Sequence, residues 1–238
     1  MASLLIYINF FLFLTVFIFA LMRNSNFNTI LVGFIYMAPL IPFGFNPDHM
    51  DRFLLVSYFN LIFGAIEIVV FVLTVKPEDT PFDKDHLKQL FGHTLPIAIA
   101  LLGLSFLGRF NDSPISTLEL WVTVVLFVFG SIMRVVAIYQ IGAVAFKFDI
   151  IFRQEQKLKT DQLYGLMRHP SYTAMMIVVI SFAVITNSLV FGFLGVTSAW
   201  MGFQYRIYHE EKRLADQFGA EYEVFRSSKG MWLPRINQ

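Results

Sequence analysis

Five consecutive residues, Arg168-His169-Pro170-Ser171-Tyr172, gather a cation, an imidazole and two hydroxyls around a proline. They close a polar passage, Leu158 to Tyr172, that leads directly into a membrane-grade apolar run. Pro170 suits the first turn of a helix, where a missing N–H costs nothing, and it pushes His169 out of the α region. A helix is therefore expected to begin near Pro170 with His169 at its cap. The N–H groups of such a first turn would face the polar loop and attract a carboxylate or a phosphate. Taken alone, the motif is better met by a plain helix start at a membrane surface. A second polar passage, Arg206 to Glu211, reads RIYHEE, and Arg206 and Glu210 stand at i and i+4 on one helix face. An exposed ion pair worth roughly 0.3–0.5 kcal/mol accounts for that spacing, and spacing alone favours it. The chemical alternative is an Arg and a Glu at the mouth of a membrane cavity, holding two different charged groups.

Composition says which elements must position these groups. The chain has 238 residues, 56% hydrophobic and 15% charged, with 28 Phe and a mean hydropathy of +0.62. A soluble domain is about a quarter charged, so this is a polytopic membrane protein built as one structural domain. A net charge of +1 gives no case for nucleic-acid binding. The absence of cysteine removes disulfides, thiolate zinc sites and cysteine nucleophiles. His86 and His93 have no ligand spacing, and no metal is expected.

Apolar runs cover Ala2 to Met22, Thr29 to Phe45, Phe53 to Val75, Leu95 to Leu107 and Leu118 to Tyr139. The first has no basic n-region or small-residue cleavage site and reads as a retained helix. The second is kinked or ended by Pro39 and Pro42, and the fourth is short for a span unless its flanks help. Pro170 to Gln204 would run on the order of 50 Å as one helix, against a hydrocarbon core of about 30 Å. Thr186-Asn187-Ser188 breaks it into a tight hairpin of two short tilted helices. Tyr205 to Phe218 continues as a polar helix that Gly219 stops. The expected fold is all-α and integral to the membrane, with about seven transmembrane helices including a C-terminal helical hairpin, followed by a short polar helix. Residues 1–139 supply the N-terminal helices and residues 140–238 the core. With the C-terminus inside, all Lys and Arg except Arg52, Arg109 and the in-span Arg134 fall on the cytoplasmic side, with the active-site loop. Glu67, inside a span, reads equally as a functional group paired with Arg134 or as a helix–helix hydrogen bond. Arg134, one turn from the inner end, reads as snorkelling. The many Phe side chains face lipid or pack.

The residues Leu158, Tyr164 and Arg168-His169-Pro170-Ser171-Tyr172, then an apolar hairpin, then Arg206, Glu210, Glu211, Leu214, Phe218-Gly219, Glu221-Tyr222, Phe225 and Pro234, resemble the isoprenylcysteine carboxyl methyltransferase family. The upstream run Gly130 to Phe146 is similar to the family's helix and loop before the core. The resemblance covers about the last hundred residues and places the chain in the broader group of small membrane methyltransferases; the first half carries no match. It implies S-adenosylmethionine as methyl donor. Gln156, Lys157, Leu158, Lys159, Tyr164, His169, Pro170, Ser171 and Tyr172 would line the cofactor pocket, and Glu210 would hold the cofactor as well. Arg206 would hold the substrate carboxylate as the catalytic residue. Gln156, Lys157 and Lys159 stand where the family is more apolar, so contacts there would run through backbone. Gln162 and Ala174 stand where the family usually has Gly, which argues against a very close relative of the eukaryotic enzymes.

The chemistry is consistent with the residues. Methyl transfer from a sulfonium is an in-line displacement needing alignment and exclusion of water. A carboxylate acceptor is ionised at pH 7 and needs no base; an amine or thiol would want one, with His169 or His209 as candidates. No glycine-rich dinucleotide fingerprint is present. The favoured function is methylation of a lipophilic acceptor reaching the site from the bilayer, the carboxylate of a prenylated cysteine or a similar acid, with a prenylated protein's C-terminus as a candidate partner. The alternatives are a phospholipid amine or thiol methyltransferase, a non-catalytic transport or assembly protein, and a sterol-type reductase.

Overall fold

The computed structural model describes residues 2–44, 46, 48–74, 84–142 and 157–235. Helices in chain order are α1 (Ala2–Arg23), α2 (Phe27–Met37) with a 3-10 turn at Ala38–Leu40, α3 (Asp51–Thr74) and α4 (Lys84–Gln89). A π turn at Leu90–Thr94 joins α4 to α5 (Leu95–Arg109), and α6 (Thr117–Ile141), α7 (Pro170–Ile185), α8 (Leu189–Phe218) and α9 (Ala220–Ser228) follow. Among the described residues, four stretches are long and apolar enough to cross a membrane: Ala2–Arg23, Asp51–Leu73, His86–Arg109 and Thr117–Ile141. Phe27–Leu40 and Pro170–Ile185 are shorter apolar helices. The fourth apolar run thus reaches spanning length because α4 and the π turn extend it. The only pairing of extended backbone among the described residues is the parallel bridge Met167–Gly230.

Local chemistry sets the helix limits. Asn26, Ser116 and Ser188 are N-caps, accepting from the N–H of Thr29, Glu119 and Phe191. Pro170 is the first residue of α7. Gly219 ends α8 at φ 52°, a conformation open to glycine. Thr186, Asn187 and Ser188 separate α7 from α8, and the two helices pack on each other. They are not both short: α8 continues unbroken for 30 residues through the polar stretch.

The core runs through α1, α2, α3, α5, α6, α7 and α8. Phe59 and Phe127 stack with ring centroids 3.7 Å apart, and Phe182 meets Phe59 edge-on at 5.7 Å. Other Phe residues, among them Phe11, Phe19, Phe129 and Phe193, are exposed on the outside of the bundle. Helices approach closely at small residues: a Cβ on Gly130 of α6 would strike Val178 and the Ala174 carbonyl of α7.

Two basic residues expected on the outer surface lie inside the bundle instead. Arg52 is 1% exposed and donates to the carbonyls of Ser113 (2.8 Å), Pro114 (3.2 Å) and Ile185 (2.7 Å), and to both oxygens of Glu119. It therefore caps the C-terminus of α7 and ties it to the starts of α3 and α6. Arg109 donates to the carbonyls of Pro39 (2.7 Å) and Phe43 (2.5 Å), and its guanidinium lies against the rings of Phe43, Phe53, Phe106 and Phe110. Removing one member of a buried pair strands the other. Arg52→Ala is expected to cost about 3–5 kcal/mol, read as a fall in the unfolding midpoint in detergent; a loss under about 1 kcal/mol would place Arg52 outside the packing core.

Candidate active site

The opposite end of the bundle gathers the loop 157–169, the start of α7, the polar half of α8, α9 and the tail 229–235. The tail holds the motif in place. Arg168 N–H donates to the Gly230 carbonyl (2.9 Å) and His169 N–H to Met231 (3.1 Å). The Thr173 hydroxyl donates to the Trp232 carbonyl (2.7 Å). The Trp232 ring meets Phe203 edge-on at 6.3 Å, Phe203 meets Tyr172 at 5.8 Å, and Tyr172 meets His169 at 5.7 Å. With its oxygen turned to the two indole N–H groups, Gln204 accepts from Trp200 (3.2 Å) and Trp232 (3.0 Å).

On this frame the two polar passages converge. The Tyr172 hydroxyl donates to Glu210 Oε2 (2.7 Å) and accepts from Arg206 Nε (3.1 Å). The i,i+4 pair is thus more than a solvated helix face: Arg206 is buried, and both residues meet a hydroxyl from another helix. At the next residue, Glu211 Oε1 lies 3.0 Å from His169 Nε2 and 2.6 Å from Arg168 Nη1. Burial raises the Glu211 carboxyl, but the hydrogen bond from His169 and the charges of His169, Arg168 and Arg226 outweigh it and hold the group below the usual carboxylate range.

Below Tyr172 a third polar group closes the cluster. Arg134 binds both oxygens of Glu67, Nε to Oε1 at 2.8 Å and Nη2 to Oε2 at 2.9 Å, and its Nη1 donates to Ser171 Oγ. Of the two readings of Glu67, the pairing with Arg134 is present. Snorkelling of Arg134 is not: its side chain points inward and is 4% exposed, because a partner on α3 and another on α7 meet it inside the bundle.

The remaining expected site residues divide. Tyr164 is buried, its hydroxyl 3.4 Å from the Ala137 carbonyl, and the Gln140 side chain accepts from Leu163 N–H at 3.1 Å, so the loop is fastened to the end of α6. Pro170, Ser171 and His169 are buried at the start of α7. Lys157 is exposed, Leu158 is half-buried, and Lys159 pairs with Asp161 at 2.8 Å within the loop. Gln156 lies outside the described residues. The expected anion site at the α7 N-terminus is narrower than its sequence suggests. His169 N–H is used by the tail, and Tyr172 and Thr173 N–H both turn back to the His169 carbonyl at 3.1 Å. His209 packs on the Tyr205 ring at 4.5 Å, away from the Tyr172 cluster. Sequence reasoning missed the tail contacts and Trp232; the resemblance carried only Pro234 near them.

Of the two departures from glycine, Gln162 has φ 56°, the left-handed region that glycine enters freely. Ala174 is fully buried on α7, facing Gly130 of α6, where the small side chain is accommodated.

Residues 122–216 match the family model described as the isoprenylcysteine carboxyl methyltransferase family. The chain is similar to a protein-S-isoprenylcysteine O-methyltransferase of Dictyostelium discoideum, 31% identical over 125 residues, covering 49% of this chain and 50% of that protein. It is likewise similar to protein-S-isoprenylcysteine O-methyltransferase B of Arabidopsis thaliana, 30% identical over 112 residues, covering 46% and 56%. The matched stretch is thus about half the length of these relatives. The fold is similar to the solved structure of the eukaryotic intramembrane Ras methyltransferase, an isoprenylcysteine carboxyl methyltransferase, with a TM-score of 0.53 at 19% identity over 97% of this chain and 85% of that one. The resemblance read from the motifs is confirmed over residues 122–216.

Two outcomes check the local readings. Gln162→Gly relieves a left-handed backbone and is expected to stabilise by roughly 0.5–1 kcal/mol, seen as a higher unfolding midpoint; a lower one would show that the Gln162 side chain matters more than its backbone. A carboxyl whose folded pKa is depressed stabilises above its unfolded pKa and loses that contribution as pH falls through the folded value. The melting-temperature deficit of Glu211→Gln is therefore expected to be full at pH 7 and to shrink below about pH 4. A deficit that does not change with pH would remove Glu211 as a charged partner of His169 and Arg168.

Proposed function

We propose that the chain is an integral-membrane methyltransferase that moves the methyl group of S-adenosylmethionine to the carboxylate of a prenylated cysteine. The observation that carries the reading is the convergence of Arg206 and Glu210 on the Tyr172 hydroxyl at the start of α7. One cation and one anion are held side by side at one end of an apolar bundle. That is the arrangement needed to hold an anionic acceptor beside a cationic donor. The donor set fits the cofactor: Glu210 offers a carboxylate to its ammonium or hydroxyl groups, and Tyr164, Tyr172 and His169 offer aromatic walls with polar edges.

When bound, S-adenosylmethionine supplies an electrophilic methyl group on a sulfonium. The chain's residues bind and align. Arg206 holds the acceptor carboxylate, which is already a nucleophile at neutral pH. Tyr172 fixes the guanidinium and the Glu210 carboxylate relative to each other, so that the two reactants keep one orientation. His169 is turned to Glu211 and helps set the cap of α7. The apolar helices α5 to α8 exclude water and let a prenyl chain lie beside the site. Residues 140–238 form the catalytic core, and residues 1–139 its scaffold. In this reading the chain makes seven helical passages, the last two a hairpin joined at Thr186–Ser188, with the site and the C-terminus on the cytoplasmic side. The excess of Lys and Arg at that end supports this orientation.

Calorimetry on the detergent-purified protein tests the reading. The wild type is expected to bind S-adenosylmethionine in the micromolar range and Glu210→Ala to lose that binding. Arg206→Ala is expected to keep the cofactor and lose turnover of a prenylcysteine analogue by about a hundredfold or more. A folded wild type that binds no S-adenosylmethionine would end the methyltransferase reading.

A further inference from the structure

We infer that Glu67 and Arg134 are positioning residues of this site, holding the first turn of α7 so that Tyr172 meets Arg206 and Glu210. The inference rests on the methyltransferase reading for its consequence, though not for its geometry. Glu67 on α3 and Arg134 on α6 are buried, with side chains 9% and 4% exposed. Two arms of the guanidinium close on the two oxygens of Glu67, at 2.8 and 2.9 Å. That contact alone neutralises both charges. The third arm leaves the pair and donates to Ser171 Oγ on α7.

Ser171 is the second residue of α7 and precedes Tyr172, whose hydroxyl joins Glu210 and Arg206. The first turn is therefore held from two directions. The tail takes the His169 N–H and the Thr173 hydroxyl, and the Glu67–Arg134 pair takes the Ser171 hydroxyl. Stability alone does not call for this pair, since apolar replacement of a buried ion pair is often neutral or better. What an apolar pair lacks is a fixed donor directed at Ser171. A lysine at 134 would keep the charge but not the fork that reaches both partners. Glu67 lies outside residues 122–216, so the N-terminal half of the chain contributes directly to the geometry of the site.

Hydrogen–deuterium exchange on the full chain in detergent, alongside S-adenosylmethionine calorimetry, tests this. Three proteins are compared with wild type: Glu67→Gln, Arg134→Lys, and the double variant Glu67→Met/Arg134→Met. The double variant removes both charges at similar volume and keeps a folded bundle if the single changes do not. Amides 171–175 are expected to exchange about tenfold faster in the double variant, with α8 and the melting temperature near wild type. The cofactor Kd is expected to rise about tenfold with them, as misplaced binding groups require. Unchanged exchange at 171–175 in the folded double variant would overturn the inference. So would a uniform rise across the bundle, which marks a purely structural pair, or an Arg134→Lys protein identical to wild type. If the wild type binds no S-adenosylmethionine, the methyltransferase reading falls, and the exchange data still decide whether the pair positions α7.

Discussion

A guanidinium inside a bundle this apolar must find all its partners within the protein, because no water is at hand to replace them. Three arginines answer that demand in three ways, incompletely at Arg109, whose buried Nε has no hydrogen-bond partner among the described residues, and the architecture follows from how they do it. Arg52 reaches the free carbonyls of a helix end and a turn. Arg109 combines two carbonyls with the faces of four aromatic rings. Arg134 takes a carboxylate and a hydroxyl from two other helices. Each ties together segments far apart in sequence, so each fixes a register that apolar packing alone would leave free to slide. At the far end Arg52 combines three backbone carbonyls with the Glu119 carboxylate and Arg109 takes two carbonyls, which suits a structural staple. At Arg134 the partners are side chains, and one belongs to the motif on which the proposed chemistry depends.

The site end is organised by the tail as much as by the motif. The loop before α7 presents N–H groups that would need water or a partner. Gly230 and Met231 provide the carbonyls. Trp232 then extends the aromatic series through Phe203 and Tyr172 to His169. Tyr222 and Phe225 of α9 are buried, which explains why the tail pattern carries an aromatic at each position: they seat α9 so that the tail can return. The polar motif residues do chemistry in the proposed mechanism, while the aromatic ones hold the strap.

Much of this was legible because its signals are local. Pro170 marked the start of α7, Asn187 and its neighbours the break before α8, and Gly219 the end of α8. The Glu67–Arg134 pairing was legible because charges inside apolar runs need each other. The burial of Arg134 is not: one helix gives only its depth, whereas its partners lie on two others. Arg52 and Arg109 read as loop charges for the same reason: the Glu119 partner of Arg52 lies 67 residues away on another helix, and carbonyls and aromatic faces leave no charge pattern in sequence. The tail strap is a set of backbone bonds across some sixty residues, and backbone bonds of that kind have no residue signature. Gln162 is an intermediate case. Its unusual conformation is visible in the resemblance only as a missing glycine, and its cost only in the structure.

The matched stretch, 122–216, holds Arg206, Glu210, Glu211 and the whole Arg168–Tyr172 motif, yet it does not hold the site together. Glu67 lies before it, and the carbonyls of Gly230, Met231 and Trp232 lie after it. Chemistry-bearing side chains must be of particular types, so they leave a detectable pattern. Residues that position them need only deliver an acceptor or a carboxylate to the right point, and many sequences can do that. Arg134 and Ser171 lie inside the matched stretch beside the groups proposed to touch the reactants, while Glu67 and the tail carbonyls aim the site from outside it.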